Sequence, residues 1–233
     1  MKNLLYLFLI AGVVSCGKLK PEGEITTNEV ELQDFNKVDL KGNFRVFYVK
    51  DTLNMVSVDT YPNIFKNLEF KVKDQTLSIS EKKKTEGVDM NNITLYSKNS
   101  LSQIAMRDSA DMTISTQMSE TEFELSLMDN AKFSGSILAN KAKITMDDKS
   151  RANLLGRTID ADVAIRDTAS IIAPYWYVEN LNLDSKNENY TEISIGKNLQ
   201  GKISNTSKLL YYGDPIKKIE VKDKANIEQK KQP

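Results

Sequence analysis

A repeat of about nineteen residues runs through the second half of the chain and constrains its fold more than any other feature. Each copy places apolar residues four and two positions before an Asp or Asn, as in Ile104-Ala-Met106-Arg-Asp108. A small residue stands two positions after the Asp or Asn in six of seven copies. The spacing between successive Asp or Asn positions is 18 to 21 residues, and these positions are Asp108, Asp129, Asp148, Asp167, Asn187, Asn205 and Asp223.

Each column of the repeat has a physical meaning. The alternation indicates a strand with one buried face, and the Asp or Asn indicates a corner with left-handed backbone. A second corner follows in most copies, at Gly135, Gly156, Pro174, Gly196 and Gly213. One unit cannot bury its apolar face alone, so neighbouring copies must stack. The sequence therefore predicts an all-β chain, a single-stranded parallel β-helix (β-solenoid). An antiparallel sandwich is the alternative, but it would not explain residues that recur in phase.

Composition removes several classes of function. Lys and Arg together number 32, as do Asp and Glu, and a balanced charge argues against nucleic acid as a partner. The chain has no His and one Cys. This excludes zinc sites made of Cys and His, Ser–His or Cys–His catalytic pairs, and an intrachain disulfide. Because Gly-rich phosphate-binding motifs are also missing from the sequence, we expect no cofactor.

The N-terminus reads as an export signal. Residues 1–15 combine Lys2 with an apolar stretch that is shorter than the roughly 20 residues of a membrane span. Val13-Val14-Ser15-Cys16 resembles a bacterial lipobox, in which Cys16 would become the first mature residue and carry the lipid. Several acyl chains would anchor the protein stably. Gly17 follows in place of an Asp that would resemble an inner-membrane retention signal, so we expect an outer-membrane lipoprotein, on either its periplasmic or its surface face.

The remaining chain divides into three segments. Residues 16–28 hold the lipidated Cys and a tether, residues 29–227 form the β-solenoid, and the polar residues 228–233 form a disordered tail. The first half of the solenoid segment is less regular, and we expect it to cap the rod. No helix longer than one turn is predicted, and that turn would fall within residues 61–68.

The sequence resembles the head GIN domain family of putative auto-transporter adhesins, found in exported proteins and lipoproteins of Bacteroidota. The resemblance covers about Phe35 to Ile227. It rests on the opening Phe35-Asn-Lys-Val38-Asp-Leu40-Lys-Gly42-Asn-Phe44-Arg-Val46, on Leu77-Ser-Ile79, and on Leu210-Tyr211-Tyr212-Gly213-Asp214-Pro215. It implies a pectin-lyase-like β-helix, a non-catalytic body and a role in adhesion. The corners of this chain carry Asp where the family often has Gly-Ser-Gly.

The corner acids are the first candidate site. In a solenoid Asp108, Asp129, Asp148 and Asp167 would form a row one coil apart, and a Ca²⁺ ion could bridge their carboxylates. In the simpler interpretation each Asp caps its own corner. Nearby basic residues then neutralise the row, namely Arg107, Lys132, Lys149, Arg151 and Arg166.

The second candidate is a set of aromatic residues, Tyr175, Trp176, Tyr211 and Tyr212, which could stack on sugar rings or bind a protein partner. The register counted from the second corner predicts Tyr177 inside, with Trp176 and Tyr175 outside or at the corner. The alternative is a structural role, in which these rings only cover an edge of a coil.

We therefore expect a lipid-anchored binding or adhesion module, with a glycan or an envelope protein as partner. A structural or envelope-assembly protein is the first alternative, because an uncapped solenoid end is an open strand edge through which copies could associate. A carbohydrate-active enzyme using paired carboxylates is the second. Asp147 with Asp148, or Glu120 with Glu122, would be its candidate pairs.

Overall fold

The structure is a computed structural model that describes residues 17–231. The predicted signal peptide and Cys16 lie outside the described residues. One short helix and sixteen strands follow one another along the chain. They are β1 (Thr26–Glu31), β2 (Lys37–Gly42), β3 (Arg45–Lys50), β4 (Met55–Thr60), α1 (Pro62–Asn67), β5 (Leu68–Lys73), β6 (Thr76–Glu81), β7 (Asn91–Ser97), β8 (Gln103–Asp108), β9 (Asp111–Leu127), β10 (Lys132–Met146), β11 (Arg151–Ile165), β12 (Ser170–Asn187), β13 (Tyr190–Asn205), β14 (Lys208–Tyr212), β15 (Ile216–Val221) and β16 (Asn226–Lys230).

The second half of the chain is a parallel β-solenoid, as the repeat predicts. Strands β9 to β13 stack side by side in parallel, and each bends at the second corner of its coil. The whole body makes about 7 turns. The apolar column four positions before the corner lies inside the rod, where its members Ile104, Leu125, Ile144, Val163 and Leu183 are all buried. The parallel pairing rules out the antiparallel sandwich.

The Asp and Asn corners have the left-handed backbone that their sequence predicts. All seven have positive φ, from 53° at Asp167 to 80° at Asn187. Among non-Gly residues, Asn and Asp tolerate this conformation best. The small residues two positions later, such as Ala110 and Ala131, are completely buried. A larger apolar side chain there would have to displace the core.

The first half of the chain completes one end of the rod in an order that differs from the sequence. The coil made by β2 and β3 lies between the coil of β6 and β7 and the coil of β8 and β9. Strand β4 then pairs antiparallel with β7, β1 with β4, and β5 with β6. Helix α1, the single predicted turn, connects β4 to β5. These antiparallel strands cover the end of the solenoid, and one continuous core runs beneath them.

The ends of the chain are more ordered than their composition suggests. Residues expected to form a tether contact the body, because Leu19 forms a β-bridge with Thr85 and β1 begins at Thr26. The polar residues Glu228 to Lys230, expected to be disordered, belong to β16, which pairs with β14. Backbone hydrogen bonds to an existing sheet order both segments despite their few apolar side chains.

Within residues 17–231, no helix combines the length and apolarity that crossing a membrane requires.

Candidate functional site

The corner aspartates form a hydrogen-bonded ladder along the rod. Asp129 Oδ2 accepts a hydrogen bond from the backbone N–H of Asp108 at 2.9 Å, and Asp148 Oδ2 accepts one from the N–H of Asp129 at 3.1 Å. Near the other end, Asp223 Oδ2 accepts from the N–H of Asn205 at 3.1 Å. Each of these carboxylates therefore caps the corner of the preceding coil. The expectation that each Asp caps its own corner was wrong in this respect.

The structure does not support a calcium site on this row. Across residues 17–231, no three or more acidic or thiol side chains come together in a group that could hold a metal ion. Two of the basic residues named as neutralising partners pair elsewhere: Arg107 pairs with Asp39 at 2.5 Å, and Arg166 pairs with Asp184. Lys149 lies beside Asp129, Asp148 and Asp167. The backbone N–H groups compensate the carboxylates instead. This is a structural role for the corner acids.

Three of the four candidate aromatic side chains are buried. Trp176 is 0% exposed and its Nε1–H donates to Thr158 Oγ1 at 2.9 Å. Tyr211 is 1% exposed and Tyr212 is 8% exposed. The Tyr212 hydroxyl donates to Glu192 Oε1 at 2.7 Å, which raises the pKa of Tyr212 to about 12. Only Tyr175, at 64%, presents its ring to solvent. The four residues do not form an exposed stacking surface.

An extra residue in β12 explains why Trp176 lies inside. Asn153 of β11 pairs with Ile172 of β12, and the next pair is Leu155 with Tyr175. Strand β12 therefore has one more residue than β11 between these two pairs. Such a bulge exchanges the inward and outward faces of the residues after it. Tyr177, expected inside, is consequently half-buried on the outer face. The residues that this register aligns with Tyr177 do not share one face: Leu199 is buried, whereas Leu138, Ile159 and Ile216 are exposed.

A charged cluster occupies the outer face beside Tyr177. Glu179 accepts from Lys197 Nζ at 2.5 Å and from Arg157 Nη2 at 2.7 Å. The hydrogen bond from Lys197, followed by that from Arg157, lowers the pKa of Glu179. The Arg157 guanidinium also lies over the Tyr177 ring, 5.3 Å from its centroid. The charged groups of Glu179, Lys197 and Arg157 therefore pair with one another.

A polar pocket of about 250 Å³ lies at the corners of the coils near the capped end of the rod. The residues that follow three successive corners contribute to it: Asn43, Ser109 and Asn130. The loop between β6 and β7 forms one wall with Val88 and Asp89. We call this cavity the corner pocket.

A row of four side chains from neighbouring strands forms the floor of the corner pocket. Asn92 of β7 pairs in register with Arg45 of β3, Arg45 with Asp111 of β9, and Asp111 with Lys132 of β10. Neighbouring strands are about 4.8 Å apart, so the row spans about 14 Å. Amide, guanidinium, carboxylate and ammonium groups thus alternate across one surface.

A buried amide lines the same pocket. Asn91 is 6% exposed, its Nδ2 donates to the backbone carbonyl of Asn43 at 2.9 Å, and its Oδ1 has no hydrogen-bond partner among the described residues. Glu81 holds the neighbouring corner by accepting from the N–H of Asn43 at 2.9 Å and from the Thr85 hydroxyl at 2.9 Å. Burial raises the pKa of Glu81.

The sequence did not reveal the corner pocket because the pocket depends on the exchanged order of the coils. Asn43 and Asn91 are 48 positions apart, yet they meet because β7 pairs directly with β3. The regular repeat does not extend to the first half of the chain, where Asn43 and Asn91 lie. The one signal available was the concentration of Asn at positions that follow corners, at Asn43 and Asn130.

One member of each candidate catalytic pair makes a contact with another residue. Asp148 caps the backbone of Asp129, and Glu122 pairs with Lys141 at 3.6 Å. Burial, followed by the charge of Asp167, raises the pKa of Asp147. Asp147 and Asp148 therefore differ in environment, but Asp148 is already committed to the corner ladder.

Comparisons with known proteins agree with this architecture. The chain resembles solved structures of putative adhesins from Bacteroides fragilis (18% identity, TM-score 0.78, 91% of this chain and 99% of that chain covered) and Parabacteroides distasonis (15%, 0.74, 92% and 100%). A third, from Parabacteroides merdae, gives 17% identity and a TM-score of 0.70 over 91% and 99% of the two chains. At these identities the likeness establishes the fold. Among curated proteins, no match was found.

The family model described as "Putative auto-transporter adhesin, head GIN domain" matches residues 34–215, from the strands of the capped end to the last corner before β15. This match covers most of the chain and includes every coil that lines the corner pocket. The chain therefore belongs to the head GIN domain family, which is described as putative auto-transporter adhesins.

Proposed function

We propose that this protein is a lipid-anchored, non-catalytic adhesion module of the outer membrane. The observation that carries the proposal is the attachment of the N-terminal segment to the capped end of the rod. Leu19 bridges Thr85, and Lys18 Nζ lies 3.5 Å from Glu86 Oε1 at that end. A lipid on Cys16 would therefore hold the capped end near the membrane. The coils up to β16 would extend away from it as a rigid spacer.

Family membership supports the adhesive part of this proposal. The family model and the three similar structures are all described as putative adhesins. The continuous core supports a body that holds its shape while it bears a surface contact. A body of this kind presents side chains for a surface contact along its whole length.

The contacts of the acidic residues support the non-catalytic part. Glycoside hydrolysis uses two carboxyl groups, one on either side of the scissile bond. One member of each candidate pair has another contact: Asp148 accepts from the backbone of Asp129, and Glu122 forms an exposed ion pair with Lys141. We therefore expect no release of reducing ends when the purified chain is incubated with oligosaccharides. A steady release that scales with protein concentration would contradict this part of the proposal.

The anchor is tested in cells that lack the endogenous protein. The parent chain, Cys16→Ser and a matched control, Ser15→Ala, are expressed at equal levels. We expect the parent and the control to fractionate with the outer membrane and to begin at a lipid-modified Cys16 by mass spectrometry. We expect Cys16→Ser to leave the membrane fraction and the cells to lose attachment to surfaces. Attachment by Cys16→Ser cells equal to that of parent cells would contradict an anchored adhesin.

An assembly role is the second candidate, and the open end of the rod favours it. Among residues 17–231, β15 pairs only with β13 and β16 only with β14, so each offers an unpaired edge within this part of the chain. Ile216 and Val221 of β15 are exposed there. Unpaired edges can add strands from another chain. If copies associate through this end, sedimentation of the parent chain will show oligomers, and Val221→Lys will abolish them. The control is Val49→Lys, at an exposed position on β3 far from that end, which will leave the oligomers in place. A parent chain that is monomeric at all concentrations would exclude this candidate.

A further inference from the structure

We infer that the corner pocket is a binding site for a neutral, polyhydroxylated ligand such as one or two sugar units of a surface glycan. This inference deepens the proposed adhesion function, on which it rests for its biological setting. It concerns residues that the sequence did not single out as a site.

The charges of the pocket balance. Its two cationic side chains, Arg45 and Lys132, are matched by two carboxylates, Asp89 and Asp111. A phosphate or sulfate ligand would require an excess of cationic donors. A metal ion would require a concentration of oxygen ligands without cations among them. The balanced composition therefore favours a ligand without net charge.

The hydrogen-bonding groups of the pocket are largely uncommitted. Side chains of Asn43, Ser109, Asn130 and Asp111 make no hydrogen bond to another described residue. The amides and the hydroxyl each both donate and accept. Sugar hydroxyl groups do the same, so each can exchange one donor and one acceptor with such a side chain. A ligand with many hydroxyl groups matches this set better than one with only acceptors or only donors.

The buried amide of Asn91 forms part of the pocket wall. Its Oδ1 is withdrawn from solvent and has no partner among the described residues, which costs free energy. Because this oxygen is itself closed to solvent, a hydroxyl group in the pocket would reach it only if the Asn91 side chain shifts.

The floor of the pocket argues against a peptide as the ligand. A peptide commonly binds a sheet by adding a strand to a free edge. Here β3 is paired on both sides, with β7 and β9, and β9 is paired with β3 and β10. No free edge is available in the pocket. Its aromatic residue, Phe44, is buried, so the half-buried Val88 is the apolar side chain that the pocket offers a ligand.

The volume limits the size of the bound portion. About 250 Å³ is slightly below the roughly 300–1,000 Å³ of sites for drug-sized ligands. The corner pocket would hold a short stretch of a glycan, with the rest of the polymer in solvent. Affinity for a single site should be weak, and many anchored copies on one cell would compensate through avidity.

The experiment is a glycan array probed with the full chain in detergent, followed by titration of the strongest neutral oligosaccharide. The pocket variant is Ser109→Ala/Asn130→Ala, both on exposed corners, and the matched control is Asn153→Ala, an exposed residue on β11 outside the pocket. We expect the parent and the control to bind equally. Because two hydrogen bonds are lost, the pocket variant should bind about tenfold to a hundredfold more weakly.

Salt gives a second readout. Binding of a neutral ligand should hold between about 50 and 500 mM NaCl, because screening affects only charged partners. Selective binding of anionic glycans, equal binding by the pocket variant, or the absence of any glycan ligand would each overturn the inference. If cells carrying the parent chain still attach while no glycan binds, the pocket assignment fails and the adhesion proposal stands.

Discussion

Asp129 Oδ2 lies 2.9 Å from the backbone nitrogen of Asp108, the equivalent residue one coil earlier, and accepts its hydrogen bond. Asp129 itself has a φ of 57°. One side chain thus satisfies two requirements of the solenoid: it tolerates the left-handed corner of its own coil and it caps the corner of its neighbour. The recurrence of Asp and Asn at this position follows from these two requirements together.

Replacing Asp129 separates the two roles. Asp129→Ala removes the hydrogen-bond acceptor. It also places at positive φ a residue that tolerates left-handed backbone less well than Asp. We therefore expect a loss of about 2 kcal/mol in the free energy of unfolding. Asp129→Gly keeps the backbone freedom and loses only the hydrogen bond, and should cost about 1 kcal/mol. Urea denaturation measures both. Equal losses for Ala and Gly would show that the left-handed corner carries no cost.

The second corner depends on Gly156 for a different reason. Its φ is 104°, and a Cβ there would overlap the carbonyl oxygen of Ile137 in the preceding coil. Gly156→Ala should lower the melting temperature substantially or prevent folding. Gly87→Ala is the matched control, since Gly87 has φ of 68° and open space around it. A Gly156→Ala protein no less stable than the Gly87→Ala protein would contradict this close approach.

The burial of Trp176 is open to a direct optical test. It is the single tryptophan of the chain, so its emission reports one position. We expect blue-shifted emission that iodide does not quench. Thr158→Val removes the acceptor of the indole N–H and leaves that donor buried and unpaired, at a cost of about 1–3 kcal/mol. Thr158→Ser keeps the hydroxyl and serves as control. Strong iodide quenching in the parent would mean that the ring is exposed.

Acid should weaken the contacts of Glu179. Its pKa lies below the ordinary value of 4.5 because Lys197 and then Arg157 donate to it. The folded chain therefore holds this proton less tightly than the unfolded chain. The stabilisation is present above pH 4.5 and is lost as the pH falls through the lowered pKa. Melting temperatures measured from pH 7 to pH 3 should fall less steeply for Glu179→Gln than for the parent. Parallel curves would show that this pairing does not contribute.

The sequence predicts those features that repeat, because a repeated coil imposes the same local requirements each time. The corners at Asp108 and Asp129 and the buried column containing Leu125 follow from period and residue type alone. The inward position of Trp176 did not follow, since a single inserted residue in β12 reverses the alternation. The residues after the insertion still alternate with a period of two, so periodicity alone does not show where the extra residue lies.

The corner pocket could not be predicted for a topological reason. Asn91 reaches Asn43 only because the coil of β2 and β3 lies between two later coils. That arrangement is possible because β4 and β5 run antiparallel and return the chain across the end of the rod. Neither strand carries the repeat, so no spacing was present from which their positions could be inferred.

The most direct test of the whole account measures attachment of whole cells. Cells lacking the endogenous protein are supplied with the parent chain, the Ser109→Ala/Asn130→Ala variant, or the Asn153→Ala control, each at the same level in the outer membrane. The number of cells retained on a glycan-bearing surface is then counted under flow. We predict retention by the parent and the control, and retention at the level of cells without the protein for the pocket variant. Full retention of cells carrying the pocket variant would contradict adhesion through the corner pocket.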